Sequence, residues 1–326
     1  MASVLSIPQL FTIPLIENDG VFDALDSVEH LSDEFLGGGE TYDDRYYTDA
    51  VHGLFADVLE SLHWEVQPQR VLDVGSGSGN SVVAALHILP EAYVVATDLS
   101  PQLLGILRRR LLRRGLGKRC STVRVDLSRR NILHDDTFDL VIGNSILHHI
   151  LHPDEFLRNV CRWVRPGGRA VFIEPFASGQ LYFGLLCERL AADADRLGIS
   201  AAIADLFLRV ANDIRVRLSR AVPYEYLEDK WLFTRTYLES SVAGLAEVSV
   251  RPWDTSPGQL VEHVRMLVLH GLGLDRESLP DAAWAAIAGW DSAYAPIAAE
   301  SFLDGAIIIH RLVATPSLSV RHDSRP

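Results

Sequence analysis

The sequence is poor in cysteine, with three among its 326 residues. These three, Cys120, Cys161 and Cys187, are far apart, and no C-x-x-C pair occurs. Neither a disulfide framework nor a cysteine-based zinc site is therefore indicated. The pattern is typical of a reduced protein whose thiols serve as small apolar side chains.

Long apolar runs and an early positive charge are also lacking. The first apolar stretch, 4–16, is interrupted by Pro8 and Pro14 and is too short to cross a bilayer. No Lys or Arg precedes Arg45, so the basic segment of a secretory signal is missing. We therefore expect a cytoplasmic protein that does not associate with membranes.

Acidic residues outnumber basic ones by 43 to 30, and the formal net charge is −13. Because this charge repels phosphate backbones, we expect no nucleic-acid partner. A basic stretch over 108–130 opposes that view, but its default interpretation is a solvated helix face followed by a loop. No aromatic residue lies among its arginines to stack on bases. The expected partner is a small molecule.

Between residues 69 and 175, short apolar segments alternate with helix signals. Alternation of this kind predicts parallel strands joined by right-handed crossovers, with helices on both faces of the sheet. The five predicted strands are 71–74, 93–97, 122–125, 138–142 and 169–173. Two more are predicted at 248–253 and 306–312, so the fold class is α/β, with a doubly wound, mostly parallel, seven-stranded sheet.

Helical periodicity outside this core predicts additions to the sheet. Residues 21–62 are predicted to be mostly helical, and so are two later segments. The predicted order is an N-terminal helical extension or lid (1–65), an α/β core (66–176), a helical cap insertion (177–245), the last strands with a second helical insertion near 257–300 (246–313) and a disordered tail (314–326).

Glycines 75, 77 and 79 follow a buried strand directly and precede a helix. Glycine allows a sharp turn and a close approach of a ligand to the main chain. Ligands of such sheets lie at the carboxyl ends of the strands, where the predicted strands place four polar residues: Asp73, Asp98, Asp126 and Asn144. A strand-end acid that holds ribose suits two cofactor classes, a nicotinamide dinucleotide and S-adenosylmethionine.

Several of these segments resemble the class I S-adenosylmethionine-dependent methyltransferases, over roughly residues 69–175. The resemblance rests on VLDVGSGSG at 71–79, DLSP at 98–101, DL at 126–127, FDLVIGNSILHH at 138–149 and RPGG at 165–168. Asp73 lies two residues before the first glycine, Gly75, and most dinucleotide-binding turns have no acid at that position. The resemblance implies a Rossmann-like fold and S-adenosylmethionine as cofactor.

The resemblance also implies individual roles. Asp98 would bind both ribose hydroxyls, with Leu99 against adenine. Asp126 would accept from the adenine amino group, with Leu127 beside it. Asn144 would line the methionine end. Turn capping is the alternative role for the three aspartates. The remaining cofactor candidates are Asp73, Gly75, Ser76, Gly77, Gly79 and Asn80, together with Tyr42 and Arg45, which would form either a lid over the methionine carboxylate or a plain surface helix.

Methyl transfer from a sulfonium is an in-line displacement, so catalysis rests largely on orientation and the exclusion of water. His148 and His149 follow the fourth core strand and are the catalytic candidates, as a general base or as substrate contacts. Their alternative role is to cap a helix or to pack beneath the cofactor. We expect no metal from these histidines with His152 and Asp154, because adjacent side chains splay apart.

The helical insertions would form a cap over the substrate. Four tryptophans fall there, which favours an apolar or aromatic small molecule, although they could equally fill the added core. The substrate candidates are Glu174, Tyr182 and Trp231. We expect methyl transfer to oxygen before nitrogen or carbon, in secondary metabolism, by a monomer or homodimer.

Two other functions stay open at this stage. One is a nicotinamide-dependent oxidoreductase, and the other is a catalytically silent S-adenosylmethionine-binding regulatory protein. Methylation of protein or tRNA is a weaker alternative that an open basic groove would favour.

Overall fold

The computed structural model of the chain describes residues 6–24, 38–128, 131–220, 222–254 and 256–313. Its centre is a nine-stranded sheet. The strands are β1 Leu15–Asn18, β2 Val21–Ala24, β3 Arg70–Val74, β4 Tyr93–Asp98, β5 Cys120–Arg124, β6 Phe138–Asn144, β7 Val164–Pro175, β8 Ala246–Pro252 and β9 Asp304–Arg311. All seven predicted strands are present, and the predicted tail from residue 314 lies outside the described residues.

The strands lie in the order β1-β2-β5-β4-β3-β6-β7-β9-β8. The pairs from β2 to β7 are parallel, whereas β9 runs antiparallel to both of its neighbours. The predicted doubly wound, mostly parallel sheet is thereby confirmed. The order reverses between β3 and β6, and ligands of such sheets bind outside the carboxyl ends of the strands at this switch point.

The prediction that residues 21–62 are mostly helical is wrong at its start. Strands β1 and β2 form an antiparallel hairpin, and β2 extends the sheet by pairing with β5. Asp19 and Gly20 both have positive φ, 49° and 77°, as a two-residue hairpin turn requires. Each strand has four residues, too few for periodicity to detect, and the Asp-Gly dipeptide is the signal that indicates the turn.

Eleven α-helices lie within the described residues. They are α1 Gly39–Tyr46, α2 Asp49–Glu60, α3 Asn80–Ile88, α4 Pro101–Arg113, α5 Pro153–Trp163, α6 Ala177–Ala192, α7 Ala194–Leu197, α8 Ala201–Ser219, α9 Arg235–Ser241, α10 Gln259–Leu272 and α11 Asp281–Tyr294. Pro101 and Pro153 begin α4 and α5, where a missing N–H leaves no helical hydrogen bond unmade. The side chain of Ser100 caps α4 by accepting from the Leu103 N–H.

Three apolar clusters hold these layers together. The first lies between one face of the sheet and α2, α3 and α4, and the second lies between the opposite face and α5 and α9. Neighbouring residues of β3 alternate between them: Val71 packs in the first and Leu72 in the second. The third cluster joins α6, α8, α10 and α11. The two predicted helical insertions therefore share one core.

The helices of this third cluster, α6, α8, α10 and α11, form a cap that is attached at the carboxyl edge of the sheet. Helix α6 begins two residues after β7 ends. A Cβ at Gly179, in its first turn, would lie 2.1 Å from the Phe302 carbonyl oxygen, so the helix packs directly against the chain that enters β9. All three cysteines are free. Among the described residues, no helix combines the length and apolar character needed to cross a membrane.

Candidate active site

The turn after β3 is built from three glycines in left-handed conformations. The φ angles of Gly75, Gly77 and Gly79 are 66°, 51° and 106°. A Cβ at Gly75 would lie 2.6 Å from the Ile146 side chain, so the turn lies directly against the chain that follows β6. At Gly77 a Cβ would meet no atom within 4 Å, so the main chain there borders open space. A ligand can approach this backbone closely.

Asp98, at the end of β4, points toward this turn. Its Oδ2 accepts from the Gly77 N–H at 2.8 Å, and its Oδ1 accepts from the Ser100 N–H at 2.8 Å. The carboxylate is therefore oriented by the main chain at the edge where ligands bind. An ionised carboxylate offers about four acceptor positions, so these two bonds leave acceptor capacity for ribose hydroxyls.

Asp73 lies beneath the turn with no exposed surface. Its Oδ2 accepts from the Ser81 hydroxyl at 2.6 Å. Burial raises the pKa of Asp73 to about 8; the Ser81 hydrogen bond opposes that rise, and the negative charge of Asp98 adds to it. Burial likewise raises the pKa of Asp98. Two neighbouring carboxyls thus share a weakly solvated site.

Several buried polar atoms around the turn have no hydrogen-bond partner among the described residues. Buried polar groups are normally paired, so such atoms indicate where a ligand binds. Four belong to the predicted cofactor set: Asp73 Oδ1, Ser76 Oγ, Asn80 Oδ1 and Asn144 Oδ1. Together with the open space at Gly77, these acceptors and the hydroxyl fit the polar groups of an adenosyl amino acid. The residues present therefore fit S-adenosylmethionine.

The residues predicted to contact adenine are less well set for that role. Asp126 Oδ1 accepts from both the N–H and the hydroxyl of Ser128, at 2.9 and 2.6 Å, so this carboxylate caps a turn. Leu127 is buried in the core beneath the sheet, and Leu99 is partly exposed beside Asp98. Of the three, Leu99 stays the best candidate for a contact with the adenine ring.

Helix α1 lies over the start of α3. The Asn80 amide donates to the Tyr46 carbonyl at 2.8 Å. Tyr42 packs on Tyr46 with ring centroids 4.6 Å apart, and the Arg45 guanidinium lies 5.8 Å from the Tyr46 ring. Tyr42 and Arg45 are therefore held near the glycine turn, and their contact with the cofactor stays a prediction.

A buried ion pair attaches α1 to the turn. Arg110 donates two hydrogen bonds to the Asp43 carboxylate, at 2.7 and 2.8 Å, and another to the Ser78 carbonyl. Its guanidinium also stacks 3.4 Å from the Tyr47 ring centroid. The interpretation of the basic stretch as a solvated face is therefore wrong at Arg110, although its neighbours Arg108 and Arg109 are exposed.

Glu174, a predicted substrate residue, is turned into the protein and engages the loop that follows β6. Its side chain has no exposed surface. It accepts from the main-chain N–H groups of Ile146, Leu147 and His148, at 2.9, 2.6 and 3.3 Å, and meets His148 Nδ1 at 2.6 Å. A strand-end acid can hold a neighbouring loop as well as a ligand, and Glu174 holds the 3₁₀ turn that carries both histidines.

The surroundings of the two histidines shift their pKa values in opposite directions. Burial alone would lower the pKa of His148, but the adjacent Glu174 carboxylate outweighs burial and raises it. Burial, followed by the charge of His148, lowers the pKa of His149 to about 4, against the opposing charge of Asp229. His149 is consequently a neutral imidazole at neutral pH.

The histidine side chains converge, which contradicts the reason given against a metal. Their ring centroids are 4.1 Å apart. Asp229, from the loop before α9, lies beside both: its Oδ1 is 3.6 Å from His148 Nε2 and 3.5 Å from His149 Nδ1. His149 Nδ1 also faces the Glu228 carbonyl at 3.2 Å. Neither His152 nor Asp154 belongs to this group, and Asp154 pairs with Arg158 instead.

Trp231 supports the same loop. Its indole N–H donates to the Ile150 carbonyl at 2.9 Å. The ring stacks on Tyr237 at 5.3 Å and packs against Tyr224 at 4.3 Å. The tryptophan thus ties the Asp229 loop to the chain after the histidines, and a contact with substrate stays a prediction.

Tyr182 lies within the cap. Its hydroxyl donates to the Trp290 carbonyl at 3.2 Å, and its ring packs on Trp290 and Tyr294. It lines a cavity of about 470 Å³ formed by α6, α7 and α11, and neither the glycine turn nor the histidine pair contributes to that cavity. The structure does not bring Tyr182 together with the other candidates.

Sequence reasoning missed three participants: Asp229, Arg217 and the pair of Arg110 with Asp43. Arg217, on α8, lies 3.9 Å from Asp229 Oδ2 and pairs with Asp213 at 2.7 Å. These residues are remote in sequence from the motifs they complete. No local signal marks them, because the cap and the N-terminal helix place them by tertiary packing.

Comparison with known proteins agrees with this geometry. A family model described as a methyltransferase domain matches residues 71–168. The ubiquinone/menaquinone biosynthesis C-methyltransferase UbiE of Pseudomonas putida (strain GB-1) is 28% identical over 155 residues, 47% of this chain and 56% of the relative. That of Pseudomonas aeruginosa (strain LESB58) is 26% identical over the same shares. The chain thus spans little more than half the length of these relatives.

Among solved structures, the [4+2]-cyclase SpnF matches this chain with a TM-score of 0.50 at 17% sequence identity. The match covers 79% of this chain and 80% of the SpnF chain. That likeness concerns the fold. The sheet order, the glycine turn with its strand-end carboxylates and the family match together define a Rossmann-like methyltransferase fold. Residues 71–168, within the α/β core, match the methyltransferase-domain family model and carry this fold.

Proposed function

We propose that this protein transfers a methyl group from S-adenosylmethionine to a small molecule. The observation that carries the proposal is the group of buried, unpartnered polar atoms around the glycine turn, beside the oriented carboxylate of Asp98. A dinucleotide site would offer the main-chain N–H groups of this turn to a pyrophosphate, whereas the Gly77 N–H already donates to Asp98.

The chain's own residues would divide the binding of the cofactor. Asp98 would accept from the ribose hydroxyls, Asn144 would meet the methionine end, and Asp73, whose Oδ1 has no partner among the described residues, would face the methionine part of the cofactor. When bound, S-adenosylmethionine supplies an electrophilic methyl group on a sulfonium. The work of the protein is then to align an acceptor with that methyl group and to exclude water.

The acceptor side of the site is polar. His148 uses Nδ1 toward Glu174, so Nε2 is the atom left to meet an acceptor hydroxyl or amine. Glu174 fixes the ring and acts as a positioning residue. Because a proton-accepting nitrogen suits transfer to oxygen or nitrogen, we favour these acceptors. Transfer to carbon is the second candidate, since the relatives in Pseudomonas carry the name of a C-methyltransferase.

The cap supports a small substrate. It adjoins the carboxyl edge of the sheet through α6, whose first turn packs against the chain that enters β9. Helices at this edge would exclude water from the reaction, which favours a small substrate. Trp231, Tyr224 and Tyr237 form an aromatic group behind the histidine loop. We propose an apolar or aromatic body with one polar acceptor group, and a role in secondary metabolism.

The test is turnover with S-adenosylmethionine labelled in its methyl group. The protein is incubated with a panel of phenols, aromatic amines and quinols, and the labelled products are identified by mass spectrometry. We expect label on oxygen or nitrogen of a small acceptor, and about 10- to 100-fold less label with the Asp98→Ala variant at subsaturating S-adenosylmethionine. Binding of the cofactor without labelling of any acceptor would favour the silent regulatory protein, and labelling of carbon would favour the second candidate.

A further inference from the structure

Three potential metal ligands meet beside the turn that follows β6. His148, His149 and Asp229, here named the histidine–aspartate cluster, each offer one ligand atom, and these atoms all lie within 4.8 Å of one another. The side chains are 11%, 30% and 45% exposed, so the cluster is anchored on one side and open on the other.

The spacing of the cluster suits a shared ion better than direct hydrogen bonds. Asp229 Oδ1 lies 3.6 Å from His148 Nε2 and 3.5 Å from His149 Nδ1. Both separations exceed the range of about 2.7–3.2 Å for N–H···O hydrogen bonds. Ligands about 2.0–2.1 Å from a tetrahedral zinc ion lie about 3.4 Å from each other. The carboxylate oxygen thus stands at ligand distance from both nitrogens.

His148 and Asp229 each have a partner on the side away from the cluster. Glu174 engages His148 Nδ1 at 2.6 Å, which leaves Nε2 directed at Asp229. Arg217 lies 3.9 Å from Asp229 Oδ2, which leaves Oδ1 directed at the histidines. A carboxylate that orients a ligating histidine, as Glu174 orients His148, is a usual support of metal sites in proteins. At 3.9 Å, Arg217 acts on Asp229 through its charge.

We propose that the histidine–aspartate cluster binds one divalent transition-metal ion, with Zn²⁺ as the best fit to two imidazoles and a carboxylate. His149 would adopt the tautomer with its proton on Nε2, which frees Nδ1 for the metal and gives up the contact with the Glu228 carbonyl. Three protein ligands leave a coordination position open, as in catalytic sites.

Binding of the ion does not depend on methyl transfer, but its role does rest on the proposed function. An acceptor hydroxyl that occupied the open position would release its proton to solvent more readily on the metal than when free in water, and the metal-bound oxygen would then take the methyl group from the sulfonium. The metal would then replace His148 Nε2 as the contact of the acceptor.

The test is a titration of the chelator-treated, full-length protein with Co²⁺, which reports inner-sphere ligands through visible d–d absorption. We expect saturable bands at one equivalent that Zn²⁺ abolishes by competition. Asp229→Asn and His149→Ala are each expected to weaken binding at least tenfold, and Glu174→Gln about 10- to 100-fold, as losses of supporting groups do. His152→Ala, an exposed histidine outside the cluster, is the matched control and should bind as the unaltered protein does.

Absence of saturable bands, or bands unchanged in Asp229→Asn, would overturn the proposal. Because Glu174 also holds main-chain groups, Asp229→Asn is the deciding variant if Glu174→Gln does not fold. A parallel titration with S-adenosylhomocysteine separates the two proposals. If S-adenosylhomocysteine binds and Co²⁺ does not, only the metal site is contradicted. If Co²⁺ binds and S-adenosylhomocysteine does not, only the methyltransferase function is contradicted.

Discussion

At the scale of single residues, Asp73 is the most unusual group near the glycine turn. It is buried without a positive partner among the described residues and keeps one oxygen unpartnered. Such a carboxyl is normally avoided in a core, because burial disfavours its charged form. The cost is tolerated where a ligand completes the environment, so Asp73 marks the site energetically as well as geometrically.

The raised pKa of Asp73 predicts a pH dependence of stability. Because the folded protein holds this proton up to a pKa of about 8 while the unfolded chain releases it near 4, the native state binds more protons in between. The carboxyl therefore contributes most favourably below about pH 4, and its contribution falls as the pH rises through about 8. The measurement is urea unfolding of the cofactor-free protein and of Asp73→Asn from about pH 5 to pH 8.

We expect the free energy of unfolding of the unaltered protein to fall relative to that of Asp73→Asn across this range. Parallel curves for the two proteins would contradict the assigned pKa. The comparison of the two proteins removes the contributions of all other titrating groups that the substitution leaves unchanged.

Asp98 predicts an effect on binding. Hydrogen bonds to a charged group contribute about 1.5–3 kcal/mol, so Asp98→Ala is expected to weaken the affinity for S-adenosylhomocysteine about 10- to 100-fold. Equilibrium dialysis measures that affinity. Asp135→Ala is the control, since Asp135 is an exposed aspartate that pairs with Arg162 away from the turn. Equal affinities of the two variants would refute the role of Asp98.

Sequence alone predicted some of these residues and misassigned others. Asp98 and Asn144 are specified by their positions at strand ends, because the carboxyl ends of parallel strands meet at one edge. Glu174 occupies an equivalent position, yet it holds the histidine loop. An acid at a strand end can turn toward a ligand or toward a neighbouring loop. For Glu174 the outcome depends on the path of the loop from 145 to 149.

At the scale of elements, a buried ion pair helps to hold helix α1 over the glycine turn. The side chains of Arg110 and Asp43 are 10% and 18% exposed, and they join two elements that are remote in sequence. Since a buried charge that loses its partner is strongly unfavourable, this contact should be worth more than an ion pair at the surface.

Arg110→Met is accordingly expected to lower the free energy of unfolding by about 2–3 kcal/mol, because it removes charged hydrogen bonds and leaves Asp43 unpaired. Arg162→Met is the matched control. Arg162 pairs with Asp135 at the surface, where both side chains are about half exposed, and its loss should cost less than about 1 kcal/mol. Denaturant titration measures the free energy of unfolding of both variants. Equal losses would refute the role of the Arg110–Asp43 ion pair in holding helix α1.

Elements with strong periodicity were predictable, and those fixed by neighbours were not. Helix α4 carries its own start signals, because Pro101 occupies the first helical position and the Ser100 side chain caps it. The hairpin of β1 and β2 depends instead on an edge of the sheet, at β5, that becomes available only when the core has assembled.

At the scale of the whole molecule, two insertions separated by β8 fold into one cap. Both segments were predicted to be helical, but their common core follows from long-range packing that no local pattern encodes. This cap supplies Arg217 and adjoins the loop that carries Asp229, so the acceptor side of the site is more polar than the tryptophans of the cap suggested.

The central claim is that the glycine turn and its strand-end carboxylates bind an adenosyl amino acid. Isothermal calorimetry of the full-length protein with S-adenosylhomocysteine, and separately with NADH, tests it most directly. We predict saturable binding of S-adenosylhomocysteine at one site per chain and no heat of binding with NADH. Saturable binding of NADH, or no heat with S-adenosylhomocysteine, would contradict the account.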